Sequence, residues 1–88
     1  MKHAAKLLRE ARVKSGMSQG TLAQVFNLTS GQFISNMERA VTPIPLDKAA
    51  KICGLLGIRR QEMIDAMTKD MQEALKLKMK EYAKVLRG

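Results

Sequence analysis

Cysteine, histidine and tryptophan are almost missing from this 88-residue chain, which holds Cys53, His3 and no tryptophan. A single cysteine cannot close an internal disulfide, which fits a reducing cytoplasm. With one histidine and one cysteine there is no ligand cluster of metal-binding spacing, so neither metal nor cofactor is expected. Cys53 falls on the apolar side of its segment and reads as a small core residue, not a nucleophile. Gly54 and Gly57 have the wrong company for a phosphate loop, lacking both the lysine and the preceding strand. Enzyme chemistry therefore has no support. Aromatic residues make up only 3% of the chain against 45% hydrophobic, so the core must be aliphatic and rich in methionine. No apolar run approaches the roughly 18 residues of a membrane span, and the basic start at Met1, Lys2 and His3 is followed by no secretory segment.

Acidic residues are also scarce: 8 against 16 lysines and arginines, for a net charge of +8. Such a balance favours an acidic partner, with nucleic acid the commonest and anionic membrane the rival. The excess lies at both ends. Residues 1–57 and 68–88 are each basic, and residues 58–67 are balanced.

Proline is confined to positions 43 and 45, and the stretch from Arg60 to Leu86 has neither proline nor glycine. The remaining pattern is helical. Ala4, Leu7, Leu8 and Ala11 recur at spacings of three and four, and Gly16 suits the left-handed residue after that helix. Ser18 is a good cap for a second helix over 19–26, burying Leu22, Ala23 and Phe26. Asn27 tolerates a left-handed exit, Leu28 plugs the turn, and Thr29 or Ser30 caps a third helix over 31–39, with a Thr29–Gln32 capping box. That helix turns Phe33, Ile34 and Met37 inward. Pro45 begins a fourth helix, which buries Leu46, Ala49, Ala50, Ile52, Cys53 and Leu56 and is closed by Gly57. A last helix carries Ile64, Met67, Met71, Leu75, Met79, Tyr82 and Leu86 on one stripe, spaced on average ~3.67 residues, a straight or slightly right-handed line. Ile64 and Met67 belong to the core on this reading, and the stripe from Met71 onward has no core to join.

The outer face of the third helix carries the chemistry. Gln32 and Asn36 are four apart and so share a face, with Ser35 beside them. Neutral amides donate and accept at once and can pair bidentately with the N6 and N7 of adenine in the major groove. Gly31 at the helix start lets the backbone come close.

Residues 7–57 resemble the helix-turn-helix domain of phage-repressor-like regulators, the Cro/C1 or XRE family. The resemblance rests on Leu8-Arg9-Glu10-Ala11-Arg12, Gly16-Met17-Ser18-Gln19, Leu22-Ala23, Leu28-Thr29, Phe33-Ile34-Ser35, Met37-Glu38-Arg39 and the proline-led segment ending in Leu56-Gly57-Ile58. It implies an all-α fold, a compact five-helix domain over 1–67 with a C-terminal helical extension over 68–88. It also implies that the third helix reads bases through Gly31, Gln32 and Asn36, with Ser35 near a base or the backbone. Gln19 is implied to bind a phosphate and brace that helix, and Arg12 to pair with Glu38. Three departures stand out. The turn is one residue longer than the usual Gly-Val-Ser form, Gly31 offers a base no side chain, and Ala40 replaces the glycine that usually follows Glu-Arg, so a different exit is expected there.

Helix N-termini attract phosphate, which nominates Ser18, Gln19, Ser30 and the start of the fourth helix, with Arg39, Thr42 and Lys48 nearby in sequence. Such domains generally pair on a pseudo-palindrome, and Met71, Leu75, Met79, Tyr82 and Leu86 form the candidate dimer surface. The lysines between them make a basic amphipathic helix, which suits a partner's groove or a membrane surface. The reading that follows is a cytoplasmic, dimeric regulator of duplex DNA, acting as a repressor, with no membrane partner. The competing reading is a protein-interaction module such as an antitoxin, which binds its partner through residues 68–88.

Overall fold

Five helices follow one another in the structure, a computed structural model that describes residues 2–88: α1 (Lys2–Lys14), α2 (Gln19–Val25), α3 (Gln32–Glu38), α4 (Leu46–Leu56) and α5 (Arg60–Leu86). No strand occurs among the described residues. The core is aliphatic and methionine-lined. Leu8, Leu22, Ile34, Met37 and Ile52 are wholly buried, with Ala4, Ala23, Ile44, Cys53, Leu56, Ile58, Met63 and Ala66 around them. Every helix thus gives the core at least one residue, and α1 and α5 lie along one another.

The first three helices end alike. Gly16, Asn27 and Ala40 each take a left-handed conformation, with φ of 73°, 56° and 58°. At each end two N–H groups turn back on the last carbonyls. Those of Gly16 and Met17 reach Val13 and Arg12, those of Asn27 and Leu28 reach Gln24 and Ala23, and those of Ala40 and Val41 reach Met37 and Asn36. This double return satisfies carbonyls that would otherwise be orphaned. The exit at Ala40 was expected to differ for want of a glycine. It keeps the same form, with a Cβ in a region that costs an L-residue roughly 1–2 kcal/mol.

Helix starts are more varied. Ser18 caps α2, its Oγ accepting the N–H of Thr21 at 3.0 Å. The expected Thr29–Gln32 box is not formed: Gly31 is the cap of α3, and Ser30 Oγ accepts the N–H of Gln32 at 3.3 Å. Pro45 stands one residue outside α4, where its carbonyl accepts the N–H groups of Lys48 and Ala49. The first turn of α1 contains no acidic residue. Asp70 of α5 serves it instead, one carboxylate oxygen accepting the N–H of His3 at 2.8 Å and the other that of Ala4 at 3.0 Å.

Several inward assignments need correction. Phe33 is 44% exposed, Leu46 82% and Ile64 54%, and Ala50 is exposed as well. On α3, Ile34 and Met37 fill the space and Phe33 falls beside it. Leu46 follows Pro45 before α4 has turned toward the core. On α5 the buried line is Met63, Ala66 and Asp70, with Met67 at its edge. The apolar stripe through Ile64 and Met71 is a neighbouring line on the same helix and is exposed. No break marks position 67 or 68: α5 is continuous, and Asp70 and Glu73 still touch α1. Beyond them α5 projects as an arm, consistent with a longest dimension of 51 Å against 20 Å for the shortest.

Candidate nucleic-acid interface

One buried ion pair holds α3 against α1 from beneath. Arg12 meets Glu38 in a fork, Nε donating to one oxygen at 2.6 Å and Nη2 to the other at 3.0 Å. The third nitrogen, Nη1, donates to the Met17 carbonyl at 2.8 Å, which ties the turn between α1 and α2 into the same joint. Only 3% of the Glu38 side chain and 12% of the Arg12 side chain are exposed. The hydrogen bond to Glu38 raises the Arg12 pKa further and burial opposes it, so the guanidinium stays charged. Gln19 Nε2 also donates to Glu38, at 3.2 Å, so the first residue of α2 is held to the last residue of α3.

A second constraint is steric. A Cβ on Gly31 would lie 3.1 Å from the nitrogen of Gly20 and 3.2 Å from both the carbonyl carbon and the Cβ of Gln19. The missing side chain is therefore what lets the start of α3 rest on the start of α2. Its vacant direction points at α2, not outward, so Gly31 is placed as a packing residue whose only offer to a base is its backbone.

What α3 turns outward is a small polar network. Gln32 Nε2 donates to Asn36 Oδ1 at 3.0 Å, and Arg39 Nη2 donates to the same oxygen at 2.8 Å. Ser35 is half-buried beside them. Ser18 and Ser30 are exposed at the starts of α2 and α3, and Gln19 is half-buried with its amide on Glu38. Two nominated phosphate contacts are less well placed. The Thr42 hydroxyl is buried, without a hydrogen-bond partner among the described residues, so its oxygen is not offered to a phosphate. Lys48 is half-buried, its ammonium 3.6 Å from Asp47.

Reading the sequence missed two residues that hold elements of the fold together. Lys51 donates to the carbonyl of Val25, at the end of α2, at 3.3 Å and lies 5.3 Å from the centre of the Phe26 ring. It combines a favourable cation at a helix C-terminus with a cation–π contact. Nothing local signals it, since the partner is 26 positions away. Asp70 is the other, and a tally of apolar positions passes over it.

His3, Asp70 and Glu73 each bring one potential ligand atom within 4.8 Å of the others. Their lone pairs have other work. Asp70 accepts two backbone N–H groups, and His3 Nε2 lies 2.8 Å from Glu73 Oε1, a contact that lowers the Glu73 carboxyl below its usual range. Cys53 is buried, and burial pushes its thiol up, against thiolate chemistry. Met71, Leu75, Met79, Tyr82 and Leu86 are all exposed, joined by Leu77 and Val85, which the stripe did not include. No helix of the described residues is long and apolar enough to cross a membrane.

Comparison with known proteins agrees with this geometry. The chain matches neither a curated protein nor a solved structure. The sequence profile of a family described as helix-turn-helix does match, over residues 8–63, which takes in α1 from Leu8, the α2–α3 pair, α4 and the start of α5. With well over half its length covered, the chain belongs to the helix-turn-helix family of Cro/C1 (XRE) type, whose members are DNA-binding transcription regulators.

Proposed function

We propose that the protein is a sequence-specific repressor that binds duplex DNA as a dimer in the cytoplasm, with the segment 31–39 in the major groove. The observation that carries this reading is the outward network of Gln32, Asn36 and Arg39, mounted on a helix whose angle is held by Arg12, Glu38 and Gln19. Rigid support beneath and hydrogen-bonding groups above are what base readout requires. Gln32, Asn36 and Ser35 read bases on this account. Ser18, Gln19, Ser30 and Arg39 contact phosphate, with Lys48 at the edge. The arm of α5 pairs with a second copy through Met71, Leu75, Met79, Tyr82 and Leu86, placing two recognition helices on half-sites about 34 Å apart. Repression follows by occluding a promoter.

Selection from a random duplex pool tests this directly. A pseudo-palindromic site should emerge, with affinity falling steeply as salt rises, since each neutralised phosphate releases counterions. Absence of duplex binding at low salt would overturn the reading.

One feature favours a second reading, a protein-interaction module of antitoxin type. An apolar cleft of about 350 Å³, lined by residues including Pro43, Leu46, Met67 and Met71, opens at the root of the exposed arm. A partner protein retained through residues 68–88, with no DNA bound, would support it.

A further inference from the structure

Gln32 and Asn36 look equivalent as adenine readers, and the geometry of α3 makes them different. An amide oxygen has two lone pairs. At Asn36 both are engaged, by Gln32 Nε2 at 3.0 Å and by Arg39 Nη2 at 2.8 Å. The Asn36 nitrogen has no partner among the described residues and keeps both its protons. Gln32 spends only one N–H and retains its carbonyl oxygen and a second N–H. Gln32 can therefore still meet adenine with a donor and an acceptor together. Asn36 cannot: its acceptor is consumed, and its neighbour Arg39 adds only donors.

Base edges differ in the complementary way. In the major groove guanine presents two acceptors, O6 and N7, and adenine presents the N7 acceptor beside the N6 donor. An N6 proton facing Asn36 would find an oxygen already occupied. We infer that Asn36 selects guanine, not adenine, and that Arg39 is the positioning residue that makes it do so by holding Asn36 Oδ1. The inference rests on α3 being the recognition helix and adds the base preference of one position in the site.

The experiment is a competition among duplexes on the full chain, read at the base pair whose preference Asn36→Ala abolishes. Gln32 and Asn36 on α3 and Arg39 just after it all stand outside the core cluster, and circular dichroism confirms the fold of each variant. The wild type should favour guanine over adenine there by roughly tenfold, the worth of one good base contact. Arg39→Met removes the donors but keeps an apolar stem, and should move the preference toward adenine by about the same factor. Arg39→Lys restores a donor and should restore guanine. A wild-type preference for adenine overturns the inference while leaving the DNA-binding reading intact, as does an Arg39→Met variant with unchanged preference. Loss of guanine preference without a gain for adenine also overturns it, because Arg39 would then itself be the reader. Failure to bind any duplex overturns both.

Discussion

Asp70 caps Ala4. The carboxylate of one residue near the middle of α5 accepts the backbone N–H of another in the first turn of α1, at 3.0 Å and across 66 positions of sequence, and its second oxygen takes the N–H of His3. A helix whose first turn holds no acidic residue is thus capped by tertiary structure, which also ties α5 to α1. Asp70 is 7% exposed, so losing it strands two donors without ready access to water. Asp70→Ala should cost about 2 kcal/mol in urea unfolding, above an ordinary surface substitution.

The same contact predicts a pH dependence. Burial acts to raise the Asp70 carboxyl, but the opposing effects, led by the N–H groups of Ala4 and His3, prevail and hold it below the usual carboxylate range. With the folded value below the unfolded value of about 3.9, Asp70 binds its proton more readily in the unfolded chain. Its contribution is complete above the unfolded value and is lost as pH falls through the lower, folded value. The stability gap between wild type and Asp70→Asn should therefore be constant near neutrality and shrink only below about pH 4. A gap that persists unchanged to pH 2 would show that the charge is not what caps α1.

Why some of this was legible in the sequence and some was not follows from the range of each cause. Ser18, Asn27 and Gly57 act within a few residues, so caps and exits could be read from local chemistry. The ion pair of Arg12 and Glu38 spans 26 positions and was reached only because the family resemblance implied it. Asp70 and Lys51 act across even longer or equally long separations without any motif to announce them. On α5 two apolar lines run side by side, and periodicity picked the longer, exposed one. The body chose Met63, Ala66 and Asp70, a line whose last member is charged. The polar network on α3 was visible as a shared face, but not the direction of its hydrogen bonds.

Ala40 should be improvable. It sits at φ 58° in an exit whose hydrogen bonds match those after Gly16 and Asn27, so the backbone gains nothing from its methyl group. Ala40→Gly removes the left-handed penalty and gives back part of it through the looser unfolded chain. A net stabilisation of about 0.5–1 kcal/mol is expected, read as a higher melting temperature with no change in DNA preference.

Gly31 separates packing from reading. The atoms a methyl group would meet there belong to the backbone of Gln19 and Gly20 and the Cβ of Gln19, none of which is the far end of a flexible chain. Gly31→Ala therefore asks the start of α2 to give by a few tenths of an ångström, and a loss of about 1 kcal/mol is expected for overpacking. Duplex affinity should fall for all sequences alike. A selective loss at one base pair would instead make Gly31 a reader.

The Arg12–Glu38 pair should behave as a buried charge problem. Arg12→Met leaves the Glu38 carboxylate, 3% exposed, with Gln19 as its remaining side-chain partner, and should cost about 3–5 kcal/mol. Replacing both, as Arg12→Met with Glu38→Leu, should recover much of that stability, because neither desolvated charge remains. DNA binding is a separate matter, since Gln19 then loses the oxygen that orients it. The double variant is expected to fold well and bind weakly, a combination that thermal melting and a duplex titration would resolve.

The arm of α5 offers the sharpest test of assembly. Leu75 and Tyr82 lie seven apart on its exposed stripe, 59% and 53% exposed, and neither joins the core. Charging them burdens the proposed pairing surface without disturbing the body that Leu8, Leu22 and Ile34 hold together. Leu75→Lys with Tyr82→Lys should leave thermal unfolding of the body nearly unchanged, since surface changes away from special features stay within about 0.5 kcal/mol. In sedimentation the wild type should run at twice the 9.8 kDa chain mass and the double variant at the chain mass itself. Binding to a symmetric site should then collapse to that of one half-site, because the second contact is no longer supplied at the high local concentration that linkage provides. If the variant remains dimeric, the pairing surface lies elsewhere on the body. If the wild type is already a monomer that binds DNA, the arm is free for another protein.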